Sequence, residues 1–163
     1  MNRSKNEKWL ATEHNVTFSQ WLKDRVTSIS EEEVDQVVER LGYGPRYDVA
    51  SYQGYDINGY TFYTKQQDDK STLQNCGVTL IATTTENDRE NNVARSRTTK
   101  NSYYGVIEEI WELDYNFFSI PLFKCKWVEN QRGVKVDDDC FTIVDLSKHD
   151  YLSEPFILAK QAS

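Results

Sequence analysis

Tyr55-Asp56-Ile57-Asn58-Gly59-Tyr60-Thr61-Phe62-Tyr63 is the stretch from which the fold is read. Asn-Gly is favoured at the centre of a type I′ turn because both positions tolerate positive φ. Beyond the turn, Tyr60 and Phe62 fall on one side of an extended chain and Thr61 and Tyr63 on the other. A tight β-hairpin is therefore expected, sticky on at least one face. A two-stranded hairpin is barely stable alone in water, so it needs cover. A strand from Cys76 or Gly77 to Thr83 is placed to supply part of it.

Upstream the spacing is helical. Phe18, Trp21, Leu22 and Val26 recur at one-turn intervals, as do Val34, Val37, Val38 and Leu41. Two short helices are expected between Trp9 and Leu41. Ser30 suits the N-cap of the second, with Glu33 completing a capping box and Glu31 to Glu33 lying at the positive end of the helix dipole. Gly42, Gly44 and Pro45 are expected to stop it, and Gly-Tyr-Gly-Pro to serve as a hinge.

Downstream, residues 84–102 contain one aliphatic side chain, Val93, and no aromatics, so a long mobile loop is expected. Strand-like runs follow at Tyr103 to Tyr115, Ile120 to Glu129, Cys140 to Asp145 and Phe156 to Lys160. They are separated by turns at Asn116, Asn130 to Asp139 and Ser147 to Pro155. The fold class is α+β: short N-terminal helices, then an antiparallel β-sheet or a small SH3-like barrel. The chain divides into a helical arm over 1–45, a hairpin region over 46–83, the loop over 84–102 and a meander or barrel over 103–163, with 46–163 forming one folded unit.

The bulk properties narrow the chemistry. A length of 163 residues fits one domain, and the apolar fraction leans on 10 Tyr and 4 Trp. A net charge of −7 opposes diffuse attraction to phosphate, so any DNA contact must be local. Cys76, Cys125 and Cys140 are widely spaced, lack a CxxC pair or a nearby His, and read as reduced thiols. No secretory leader and no apolar run of roughly 20 residues is visible, so a soluble intracellular chain with no membrane partner is expected.

Catalytic constellations fare poorly. Asp137, Asp138 and Asp139 read as a solvated acidic turn, without a second carboxylate cluster to converge on a metal. His14 and His149 are the only imidazoles, and neither Cys140 nor Ser153 lies in a nucleophile elbow. The seven glycines form neither GxGxxG nor GxxxxGK[ST]. No catalytic residue, metal, cofactor or small-molecule substrate is expected. Arg89, Arg95, Arg97 and Lys100 form the one locally basic stretch, though Glu86, Asp88 and Glu90 nearly cancel it. Tyr52, Tyr55, Tyr63, Tyr103, Tyr104 and Trp127 are candidates for stacking on bases or caging a methylated lysine, wherever they prove exposed. Strand aromatics otherwise belong to the core.

Several longer blocks carry a resemblance. EHNVTFSQWLKDRV (13–26), GYGPRYDVASYQGYDINGYTFYTKQQDDKSTLQNCGV (42–78), YYGVIEEIWELDY (103–115), LFKCKWV (122–128), FTIVDL (141–146) and EPFILAKQA (154–162) resemble, in order, the C-terminal region of plant En/Spm-type (CACTA) transposases. The second half resembles the uncharacterised domain that closes those proteins. The resemblance implies a nuclear, non-catalytic accessory module that binds protein or chromatin partners, because strand exchange in that family belongs to an RNase H-like domain upstream. Two alternatives stay open: direct DNA contact through residues 95–100, and a non-functional transposon remnant. The chain departs from the family at Cys76, where Ser is expected. Family members also continue past the block at 154–162 into a further aromatic strand, so the expected barrel would lack a closing strand.

Overall fold

The computed structural model describes residues 3–29, 35–88, 95–150 and 155–163. The chain is α+β, as read from the sequence, and forms two compact units. One comprises the residues up to Val49 together with Leu113–Ser119, and the other comprises Ala50–Glu112 with Ile120–Ser163. Among the described residues no helix is long and apolar enough to cross a membrane.

In the first unit α1 spans Arg3–Ser28 and α2 spans Gln36–Tyr43. Of the side chains described on α1, Val26 alone is buried. It packs at Gly42, where an added Cβ would lie 2.5 Å from Val26 Cγ2. Gly42 therefore does not stop α2 as expected. It sits inside the last turn, where only hydrogen leaves room for Val26, and the stop comes at Gly44, whose φ of 84° is open to glycine. The N-cap is Asp35, which accepts the Val37 N–H at 2.7 Å. The expected capping box at Ser30 to Glu33 lies outside the described residues. Residues 113–119 turn at Asn116, with φ 70°, and stack Tyr115 on Phe118 at 5.0 Å. Within this unit the Arg40 guanidinium lies 4.6 Å over the Phe117 ring, a cation–π arrangement.

The second unit opens with β1 (Ala50–Tyr52), β2 (Gly54–Ile57), β3 (Tyr60–Tyr63), the short helix α3 (Lys65–Asp68) and β4 (Gly77–Asp88). It continues with β5 (Arg95–Asp114, whose last two residues fall in the first unit), β6 (Ser119–Trp127, whose first residue falls there too), the turn α4 (Asn130–Gly133), β7 (Val134–Val136), β8 (Thr142–Val144) and β9 (Phe156–Leu158). A 3-10 turn follows at Ala159–Gln161. The β2–β3 hairpin is closed by Asn58 and Gly59 with φ of 55° and 81°, as the Asn-Gly pair predicts. The main sheet runs β1-β5-β6-β9, with β4 also paired to β5. The β2–β3 and β7–β8 pairs are separate two-stranded sheets. Phe62 from the hairpin meets Phe123 at 5.1 Å, and Val78, Ile107, Ile110, Cys125, Trp127, Ile157, Ala159 and Ala162 complete the core.

Two expectations are corrected. The sheet is open and not an SH3-like barrel. β9 pairs with β6 over three residues, after which the 3-10 turn lifts the chain off the ladder, so it meets β4 at one residue, Ser163 with Thr79. Residues 84–102 are not a long loop either. Apart from 89–94, which lie outside the described residues, they extend β4 and β5 in unbroken register from Gly77↔Val106 to Asp88↔Arg95. The expectation rested on the lack of buried apolar surface. A hairpin ladder satisfies its backbone groups without burial, and the β-branched Thr83, Thr84, Thr85, Thr98 and Thr99 suit it.

Candidate interaction site

On the sheet of the second unit, Tyr104, Val106, Val144 and Leu146 wall a groove of about 300 Å³ that Gly77 and Gly105 line as well, with Cys76 beside them. Gly105 is obligatory there. A Cβ would stand 2.8 Å from the Lys126 carbonyl oxygen and 2.9 Å from Cε3 of Trp127. The rim near Cys76 is held by Asp68, which is 3% exposed and accepts the Asn75 and Cys76 N–H groups through Oδ2 at 2.8 and 2.6 Å. Thr64 starts the α3 turn by accepting the Gln67 N–H, and donates its hydroxyl to Gln53 at 2.9 Å. Burial, reinforced by the Asp68 carboxylate, pushes the Cys76 thiol up to about 11, so it stays protonated and unreactive near neutral pH. Burial likewise pushes Cys125 up to about 12.

The candidate aromatics are divided between core and surface. Trp127 and Tyr103 belong to the core or pack against it, so Trp127 does not offer a stacking face. Tyr55 also packs on the core and donates its hydroxyl to Glu112 at 2.9 Å. Burial raises its pKa first and Glu112 second. Tyr63 is half-buried against Gly54, and Tyr104 is half-buried in the groove. Tyr52 is exposed and meets Tyr55 edge-on at 5.9 Å. Of the basic candidates, Arg89 lies outside the described residues. The ladder sets Arg95 opposite Asp88 and Arg97 opposite Glu86, while Lys100 is exposed opposite Thr83.

The acidic candidates hold turns together. Asp137 Oδ1 accepts the N–H groups of Asp139 and Phe141 at 3.1 and 2.8 Å, fixing the β7–β8 loop. A polar cleft of about 540 Å³ beside His149 is lined by Tyr103, Glu129, Asn130 and Arg132. There Glu129 takes Arg132 as an ion pair at 2.8 Å, and Asn130 donates to the Ser102 carbonyl at 2.9 Å.

The first unit carries exposed apolar surface on residues whose spacing marked the two helices. Val37, Val38, Leu41 and Tyr43, the large apolar residues of α2, are all exposed, Val37 by 51%. On α1, His14, Phe18 and Trp21 stack in succession at 5.1 and 5.6 Å, with Trp21 56% exposed. The helical periodicity was the available signal. It shows which residues share a face and not what covers that face.

These features describe an α+β chain whose distinctive surfaces are apolar and aromatic. Residues 111–163 match the family model described as a domain of unknown function (DUF4216). Compared with curated proteins and with solved structures, the chain matches none. The matched segment begins at Trp111, after the fully buried Ile107 and Ile110 and after Phe62 and Val78, so it lacks much of the core on which it folds.

Proposed function

We propose that this chain is a non-catalytic accessory module derived from a plant CACTA-type transposase, which binds a protein or chromatin partner in the nucleus. The observation that carries the reading is the uncovered apolar surface of the helical unit: α2 leaves its large apolar residues exposed, and α1 carries the His14-Phe18-Trp21 stack with Trp21 56% exposed. Exposed large apolar and aromatic side chains in such number on two short elements are the raw material of interaction sites. The DUF4216 match over 111–163 supports descent from a transposase, since that domain occurs in plant transposase-derived proteins. A non-catalytic role fits the acidic side chains, whose carboxylates hold backbone turns.

The test is a pull-down from plant nuclear extract with the whole chain as bait, with and without nuclease, beside a Phe18→Ala/Trp21→Ala variant. Protein partners that survive nuclease and are lost with the variant support the reading. The competing reading, direct DNA contact, requires salt-sensitive DNA recovery that vanishes when Arg95, Arg97 and Lys100 become Ala. The acids set opposite Arg95 and Arg97 weigh against it.

A further inference from the structure

β4 has two edges, and its backbone geometry says which groups each one carries. Ile107 donates its N–H to the Cys76 carbonyl at 2.9 Å, and the register with β5 continues unbroken to Asp88↔Arg95. Hydrogen-bonded and non-bonded pairs alternate in an antiparallel ladder. Val78, Leu80, Ala82 and Thr84 therefore bond to β5, while Thr79, Ile81, Thr83 and Thr85 turn their N–H and C=O groups to the opposite edge. Thr79 shows the edge in use, exchanging two bonds with Ser163 at 2.8 and 3.1 Å. The chain before Ser163 is a 3-10 turn, and among the described residues nothing pairs with the outward groups of Ile81, Thr83 and Thr85.

Among the described residues this edge carries none of the usual protections beyond Thr79. Sheet edges are normally blunted by Lys, Pro, a bulge or a covering segment. Thr79 to Thr85, reading TLIATTT, has no charge, no proline and no glycine, and its register shows no bulge. Four of its seven residues are Thr and another is Ile, whose side chain is 59% exposed. Neutral, β-branched stretches of this length are those that pair with their own kind.

We propose that two copies of this chain associate edge to edge through β4, antiparallel, with the outward backbone groups of Ile81, Thr83 and Thr85 forming the shared seam. A second copy fits because an antiparallel two-fold pairing brings the same residues to both sides of the seam. In a chain of net charge −7, like-charge repulsion is the main obstacle to self-association, and this stretch carries no charge. The ladder also sets Arg97 and Arg95 across from Glu86 and Asp88, the nearest acids further along β4. The proposal is independent of the helical surface and can fail separately from it.

The experiment is sedimentation equilibrium of the whole chain over a concentration series, repeated for Thr83→Pro and Thr83→Lys. Proline at 83 removes an outward N–H and leaves the bonds to β5 intact, a substitution that edge strands accept. Lysine puts a charge on the seam without touching the backbone. The expected result is a concentration-dependent dimer whose Kd rises about tenfold or more in both variants, with unchanged far-UV circular dichroism. A wild-type chain that stays monomeric throughout overturns the proposal, even if the same edge binds a peptide of another protein. A dimer whose Kd is unmoved by Thr83→Lys overturns it as well.

Discussion

Val26 Cγ2 would lie 2.5 Å from a Cβ at residue 42, so Gly42 is a point of close approach between α1 and α2. In an isolated helix Gly→Ala is stabilising by about 1 kcal/mol. Here the sign reverses, because the methyl group must displace Val26, the one buried side chain described on α1. Gly42→Ala should destabilise the helical pair by about 1–3 kcal/mol. Loss of helical circular dichroism at lower urea concentration than in the wild type is the expected reading, and a more stable variant would contradict the packing.

Gly105→Ala makes the same argument on the sheet. The nearest atoms are the Lys126 carbonyl oxygen and the ring of buried Trp127, neither of which is a flexible side-chain end. A cost of about 2 kcal/mol or more is expected, with a shift in tryptophan emission as Trp127 is displaced. Unchanged stability would mean that the strands separate there at little cost.

The thiols should react in a fixed order. Cys140 is exposed, while burial pushes Cys76 up to about 11 and Cys125 up to about 12. At pH 8 only about one Cys76 in a thousand is thiolate. Brief iodoacetamide treatment of the folded chain should therefore label Cys140 alone by mass spectrometry, with Cys76 and Cys125 labelled only after denaturation. Early labelling of Cys76 would refute its burial.

On the sheet, Lys124 holds the Glu109 carboxyl below its usual range, and Trp111 adds a smaller contribution by donating its indole N–H. A carboxyl whose pKa is depressed on folding contributes stability that is present above its unfolded value of about 4.5 and lost as pH falls through the folded value. Lys124→Met should flatten this acid-side loss of stability, and because water reaches the half-exposed pair the change at neutral pH should be small. Identical stability profiles from pH 3 to 7 for variant and wild type would remove the ion pair from the account.

Residues 111–163 and the structure draw different boundaries, and the difference bears on how the matched domain should be expressed. Ile107, Ile110, Phe62 and Val78 precede the match yet share its core, so a piece starting at Trp111 leaves Phe123 and Ile157 uncovered. Ala50 to Ser163 contains the complete core of the second unit.

What was legible in the sequence was local. Asn58-Gly59 dictates its own turn because both residues adopt positive φ without a partner, and Gly44 ends α2 for the same reason. Strands β5 from Tyr103, β6, β8 and β9, and hence the α+β class, follow from side-chain periodicity that any short window contains, whereas β7 (Val134–Val136) lies in a stretch read as a turn and exists through its pairing with β8. What only the tertiary structure decided depends on residues far apart in the chain. Whether residues 84–102 form a ladder depends on two arms meeting in register, which no single window shows. Trp127 is buried because Gly105, twenty-two positions earlier, leaves room for its ring, and Gly42 is helical because Val26 needs the space. Among the described residues the ladder from β9 does not run on to β4, because the 3-10 turn at Ala159–Gln161 interrupts it before Ser163 pairs with Thr79.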